Sequence, residues 1–281
     1  MDDDKYPPES DRRRFVKGVV GSAALAGVAT TGGAAIDTLT APSGEGGGAT
    51  TYFGFENTGG PAPRGMPQIP VEIDSEGFVR GVFPEYETRT VGGREVDVAE
   101  TEIAGETYSA RWFQYCGVQT YAGILPDADQ DNYFRYASSS PYDWQGDLSG
   151  RMHVDDFEEV GESYEAWGNG IGQSGLGKPA RGTWRSEGIK AAETMPVEVI
   201  RSPIIEEKAQ DDEWLAATTD RGVAARLNKC THFCCVPGFK AQGDAANFGA
   251  ADRIYCQCHQ SVYDPFTVVK TQFTALPRPG N

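Results

Sequence analysis

The chain has 281 residues, 39% of them hydrophobic, which is enough for one large domain or two small ones with an apolar core and excludes a disordered polymer. Asp and Glu number 41 against 25 Lys and Arg, a formal net charge of −16. A surface so charged repels phosphates and excludes nucleic acid as a partner.

Only 8 of the 25 cations are Lys. An acid-rich, lysine-poor balance resembles proteins of salt-loving archaea, whose carboxylate surfaces stay hydrated while salt screens their repulsion. In chain order the first signal is Asp11-Arg12-Arg13-Arg14-Phe15-Val16-Lys17, which is similar to a twin-arginine export signal and implies the twin-arginine translocase as a transport partner. The 19 residues from Gly18 to Ile36 carry no charge. As a helix they would be about 28 Å long, close to the roughly 30 Å hydrocarbon core.

This segment could be a cleaved signal or a retained anchor. Its length and the lack of a small-x-small site at its end favour the anchor, with Ala24-Leu25-Ala26 falling too early for cleavage. The expected order is a cytoplasmic N-terminus over 1–14, a single transmembrane helix over 15–36, a flexible hinge over 37–50 and a soluble head over 51–281. The basic cluster on the N-terminal side places the head outside the cell membrane. The hinge, rich in Gly, has an r.m.s. span of about 20 Å and would let the head move; the alternative is a passive spacer.

From Thr51 onward, short β-prone runs alternate with turn residues: Val71–Ile73, Phe78–Val79, Glu198–Ile200, Val223–Leu227 and Val268–Val269. They predict a mostly β head with antiparallel sheets. Residues 111–188 carry Trp112, Trp144, Trp167 and Trp184 without clear periodicity, and read as a long irregular insertion whose tryptophans serve packing. Within it, Gly170-Ile-Gly172-Gln-Ser-Gly175 spells a dinucleotide-binding pattern. The acidic residues before it and Pro179 after it exclude the strand and helix that such a site needs.

Two clusters carry the chemistry. Cys230-Thr231-His232-Phe233-Cys234-Cys235-Val236-Pro237 and Cys256-Gln257-Cys258-His259-Gln260-Ser261-Val262-Tyr263 each supply a thiolate and an imidazole, as Cys-x-His and Cys-x-x-His. Such a set can hold a [2Fe-2S] cluster with mixed ligands or a structural zinc. The two motifs resemble those of the Rieske proteins of cytochrome bc and b6f complexes. The resemblance implies a Rieske head with a cluster-binding subdomain over about 228–265, in which Cys230 and Cys256 hold one iron and His232 and His259 the other. It also implies a disulfide between Cys235 and Cys258, and hydroxyls of Ser261 and Tyr263 that hydrogen-bond cluster sulfur and raise the potential. For such centres the potential lies at roughly −150 to +300 mV, within reach of a quinol.

There are departures. His232 and Cys256 have 23 residues between them, with the extra length expected as a surface loop over Gly238–Asp252. Cys234 and Gln260 stand where the family has Gly, and Leu276-Pro277-Arg278-Pro279 is a loose match to its Gly-Pro-x-Pro cover. The leftover Cys116 and Cys234 suit either a second disulfide or two buried thiols. With His232 and His259 committed, His153 alone cannot build a mononuclear iron site, so an autonomous oxygenase is excluded; a packing or surface role suits it.

The resemblance therefore implies an electron-transfer subunit, not a catalyst alone. It would take one electron from quinol at His259 or His232, with a proton passing to the imidazole, beside a cytochrome b-type membrane subunit. The acceptor would be cytochrome c or a blue copper protein. The competing reading is the small Rieske subunit of an arsenite-oxidase-like molybdenum enzyme, which contacts no quinol; the anchor and hinge favour the quinol-oxidising complex.

Overall fold

The computed structural model describes residues 46–91, 93–161 and 171–278. The twin-arginine motif, the expected anchor, most of the hinge, Trp167 and Gly170 lie outside them. Among the described residues no helix is long and apolar enough to cross a membrane.

The head is mostly β, as its alternating runs of Val, Ile, Thr and aromatic residues require. Its first strand, β1 (Gly48–Gly59), pairs with the last, β14 (Ser261–Ala275), from Gly48↔Ala275 to Gly59↔Val262, with a register shift on either side of Asn57. The hinge thus ends earlier than expected. Gly48, Ala49 and Thr50, whose Gly-rich context reads as tether, are laddered to Ala275, Thr274 and Phe273.

β2 (Met66–Ile69) lies on the other side of β1. Beyond it come β11 (Val223–Leu227), β10 (Met195–Arg201), β9 (Lys178–Trp184) and β8 (Phe134–Tyr136). On the far side of β14 are β13 (Ile254–Cys256) and β12 (Gly238–Phe239). The result is one curled nine-stranded antiparallel sheet, ordered β12-β13-β14-β1-β2-β11-β10-β9-β8. A hairpin of β3 (Val71–Ile73) and β4 (Val79–Gly81) and a small sheet of β5 (Tyr86–Val91), β6 (Arg94–Ile103) and β7 (Glu106–Ser109) complete the β structure.

Two short helices join β10 to β11. α1 (Pro203–Lys208) starts on Ser202, whose hydroxyl accepts from the Ile204 N–H, with Pro203 at the first helical position. α2 (Glu213–Thr218) starts on Asp212, whose carboxylate accepts from the Leu215 N–H. Each cap satisfies a backbone donor the helix leaves open.

Residues 111–188 do not form a wholly irregular insertion. They supply β8 and β9 at one end of the sheet, and Trp112 and Trp184 are buried in its main core. β9 escapes a periodicity reading because Pro179 and Gly182 interrupt it. Pro179 falls beyond the stretch that β8 pairs, so no ladder bond is lost to β8 there. At Gly182 a Cβ would lie 2.3 Å from Met152 Cε and 2.6 Å from the Arg135 carbonyl oxygen, so no side chain fits.

The expected loop over Gly238–Asp252 is also shorter than the sequence implies. Gly238 and Phe239 form β12, and Lys240 is buried, with Nζ 2.8 Å from Asp252 Oδ1. His153 is a packing residue: its Nε2 lies 2.7 Å from the Glu76 carbonyl oxygen, and its ring meets Phe78 edge-on.

Candidate metal centre

Both cysteine motifs are turns that connect strands of the sheet. The first follows β11, where the Cys230 N–H donates to the Cys235 carbonyl at 2.7 Å and the Cys234 N–H to the Cys230 carbonyl at 3.0 Å. The second is the β13–β14 hairpin, closed by Cys256↔Ser261 pairing and by the Gln260 N–H donating to the Cys256 carbonyl at 2.8 Å. Closing these turns puts Cys234 at φ 65° and Gln260 at φ 62°. Glycine is the low-cost residue in this left-handed region, and a side chain there is disfavoured by about 1–2 kcal/mol. These are the two positions at which the Rieske motifs that the sequence resembles carry glycine.

Disulfides hold the turns in place. Cys235 is bonded to Cys258 across the two turns, with Cα atoms 6.6 Å apart, and Cys234 to Cys116, with Cα atoms 5.3 Å apart. Both separations are ordinary for the bond. The second ties residues 111–188 to the first turn. Beside it the Tyr115 hydroxyl donates to the Lys229 carbonyl at 2.7 Å.

Cys230 and Cys256 are the two cysteines left free, each 1% exposed and packed among Phe55, Met66, Phe239 and Tyr263. A hydrogen bond from Cys256, aided by the Tyr263 hydroxyl, holds the Cys230 thiol down to about 5 against the cost of burial. The same partnership with Cys230, together with burial, pushes Cys256 far up. The sulfurs therefore form a polar pair in an apolar pocket. The Tyr263 hydroxyl lies 3.2 Å from Cys230 Sγ and also accepts from the Thr231 N–H at 3.3 Å.

His232 and His259 face each other edge to face, with ring centroids 4.8 Å apart. His259 is exposed and His232 half-buried. Phe233, 65% exposed, packs beside both, with its centroid 4.3 Å from that of His232 and 5.1 Å from that of His259.

Two atoms at this site are buried without a hydrogen-bond partner, His232 Nδ1 and Ser261 Oγ. Ser261 lies close enough to help lower Cys230, yet its hydroxyl makes no well-aligned bond. An unpaired buried polar atom is costly, and a bound group would give both a partner. With two free buried cysteines and two facing imidazoles, they fit a mixed-ligand [2Fe-2S] cluster. The sulfurs of Cys235, Cys256 and Cys258 also lie within 4.8 Å of one another, but the disulfide removes two of them as thiolate ligands.

The proline segment at the site is not the expected one. Leu276 donates its N–H to the Gln114 carbonyl at 2.8 Å, and Arg278 bonds the Asp97 carbonyl at 2.6 Å. The segment packed beside the cysteine turns is Gly60-Pro61-Ala62-Pro63. Ala62 shares the apolar cluster of Cys230, Cys256 and Tyr263. A Cβ on Gly60 would lie 2.3 Å from the Gln260 carbonyl oxygen, and the Thr231 hydroxyl donates to the Arg64 carbonyl at 2.6 Å. The Gly-Pro-x-Pro spelling is visible in the sequence; only the fold shows that it reaches the turns from β1.

Compared with protein-family models, with curated proteins and with solved structures, the chain gives no match.

Proposed function

We propose that the chain is the Rieske-type electron-transfer subunit of a membrane quinol-oxidising complex of the cytochrome bc type, from a salt-loving organism. The observation that carries the reading is the pairing of two free, buried cysteines with two facing histidines, beside the orphaned Ser261 Oγ and His232 Nδ1. Cys230, Cys256, His232 and His259 would hold the [2Fe-2S] cluster, which when bound exchanges one electron at a potential raised by its neutral imidazole ligands.

The residues around it have separable tasks. The Cys235–Cys258 bond fixes the two turns against each other. Tyr263 and Ser261 direct hydroxyls at sulfur, stabilising the more negative reduced state. Gly60-Pro61-Ala62-Pro63 and the apolar cluster exclude water from the cysteine side. On the histidine side, exposed Phe233 and Val236 offer an apolar rim suited to the pocket of a partner that holds quinol. An imidazole of His259 or His232 would accept the quinol hydroxyl hydrogen bond and its proton.

Affinity capture of the full chain from solubilised membranes in molar salt tests the assignment. A cytochrome b-type subunit should co-purify, and the complex should oxidise quinol. Recovery of a molybdenum subunit in its place would overturn the quinol reading in favour of the arsenite-oxidase-like one.

A further inference from the structure

In a chain with 41 acidic residues, the stretches 228–239 and 254–263 contain none. Among the cations at the first of them are Arg64 and Lys229, and among the described residues neither of these pairs with a carboxylate. Arg64 sits in an aromatic cage, its guanidinium 3.8 Å over Phe273, 4.5 Å over Tyr115 and 5.2 Å over Tyr52. Its Nη1 donates to the Tyr52 hydroxyl at 3.0 Å, while its carbonyl accepts from Thr231, the neighbour of Cys230. Lys229 precedes Cys230 directly and donates to the Tyr121 hydroxyl at 3.1 Å.

Both side chains are half-buried, where water and salt screen a charge less than at the surface. Tyr115 joins the cations to the site: its hydroxyl bonds the Lys229 carbonyl, and its ring lies under the Arg64 guanidinium. Several other cations of the head meet acids, as in the Arg80–Glu72, Arg89–Glu87 and Lys270–Glu106 pairs. Here tyrosine and phenylalanine hold the cations without cancelling their charge.

We infer that Arg64 and Lys229 are potential-setting residues, two uncompensated positive charges placed beside the first cysteine turn to favour the reduced state of the bound centre. Reduction adds one negative charge at the cysteine and histidine ligands, so fixed cations nearby stabilise the product more than the reactant. The inference rests on the iron–sulfur reading, and the test separates the two.

The measurement is a mediated redox titration of the full-length protein, followed by its reduced-state paramagnetic signal, in Arg64→Met, Arg64→Lys and Lys229→Met. The midpoint should fall in Arg64→Met and in Lys229→Met, and stay near wild type in Arg64→Lys, which keeps the charge. Unchanged midpoints in both Met variants would overturn the inference and leave the iron–sulfur reading standing. An equal fall in Arg64→Lys would also overturn it, since packing and not charge would then be responsible. If Arg64→Met does not fold, Lys229→Met decides, because among the described residues that side chain bonds only Tyr121. Absence of any paramagnetic signal in reduced wild-type protein would instead refute the iron–sulfur reading.

Discussion

Glu198→Ala is expected to destabilise the head by about 3–5 kcal/mol, the scale found when one partner of a buried ion pair is removed. Glu198 on β10 and Arg226 on β11 are cross-strand partners, both fully buried and in direct ionic contact. The Glu198 carboxylate also accepts from the Tyr142 hydroxyl at 3.0 Å and from the Phe239 N–H at 3.1 Å. It therefore joins the sheet, the 111–188 stretch and β12 of the cysteine subdomain. Alanine would leave the Arg226 charge without a counter-ion, and its Nε and Nη1 already lack partners. Denaturant titration in molar salt measures the loss. The double variant Glu198→Leu with Arg226→Met should recover much of it, because it leaves no unpaired buried charge. A single variant as stable as wild type would show that the pair does not brace the fold.

Tyr263→Phe should lower the midpoint potential of the bound centre by on the order of 40 mV, the equivalent of about 1 kcal/mol of net hydrogen bonding to a sulfur that gains negative charge on reduction. The Tyr263 hydroxyl is 3.2 Å from Cys230 Sγ, the contact through which that stabilisation would act. Ser261→Ala should act in the same direction, its fully buried Oγ having no other well-aligned partner. Iron content should stay at the wild-type level in both variants. Redox titration checks the shift, and unchanged midpoints in both would remove these hydroxyls from the account of the potential. A cost in stability is expected for Tyr263→Phe alone, since the Thr231 N–H would lose its acceptor.

What could be read from the sequence divides by the range of the contacts involved. Val223–Leu227 was legible as a strand because a compact apolar run is bounded by Gly222 and Asn228, and the strand covers that run. The four candidate ligands were legible because each turn brings its own Cys and His together within three residues. The turn geometry also gives a physical account of Cys234 and Gln260: both have left-handed φ, and a disulfide holds the first.

Features that depend on distant segments were not legible. β9 contains Pro179 and Gly182, which signal a break locally and make sense only against β8, β10 and Met152. Gly48–Thr50 has tether composition and becomes strand only because β14 returns beside it. Gly60-Pro61-Ala62-Pro63 and Arg64 lie far from either cysteine motif in sequence, and no local pattern announces that β1 delivers them to Cys230 and Ser261.

The proposed function stands on an iron–sulfur cluster held by Cys230, Cys256, His232 and His259. The most direct measurement is iron, zinc and acid-labile sulfide analysis of the full-length protein isolated in molar salt, together with electron paramagnetic resonance after reduction. About two irons and two sulfides per chain are expected, with a reduced signal of low average g, all lost in Cys256→Ser. One zinc per chain, with no sulfide and no signal, would contradict it.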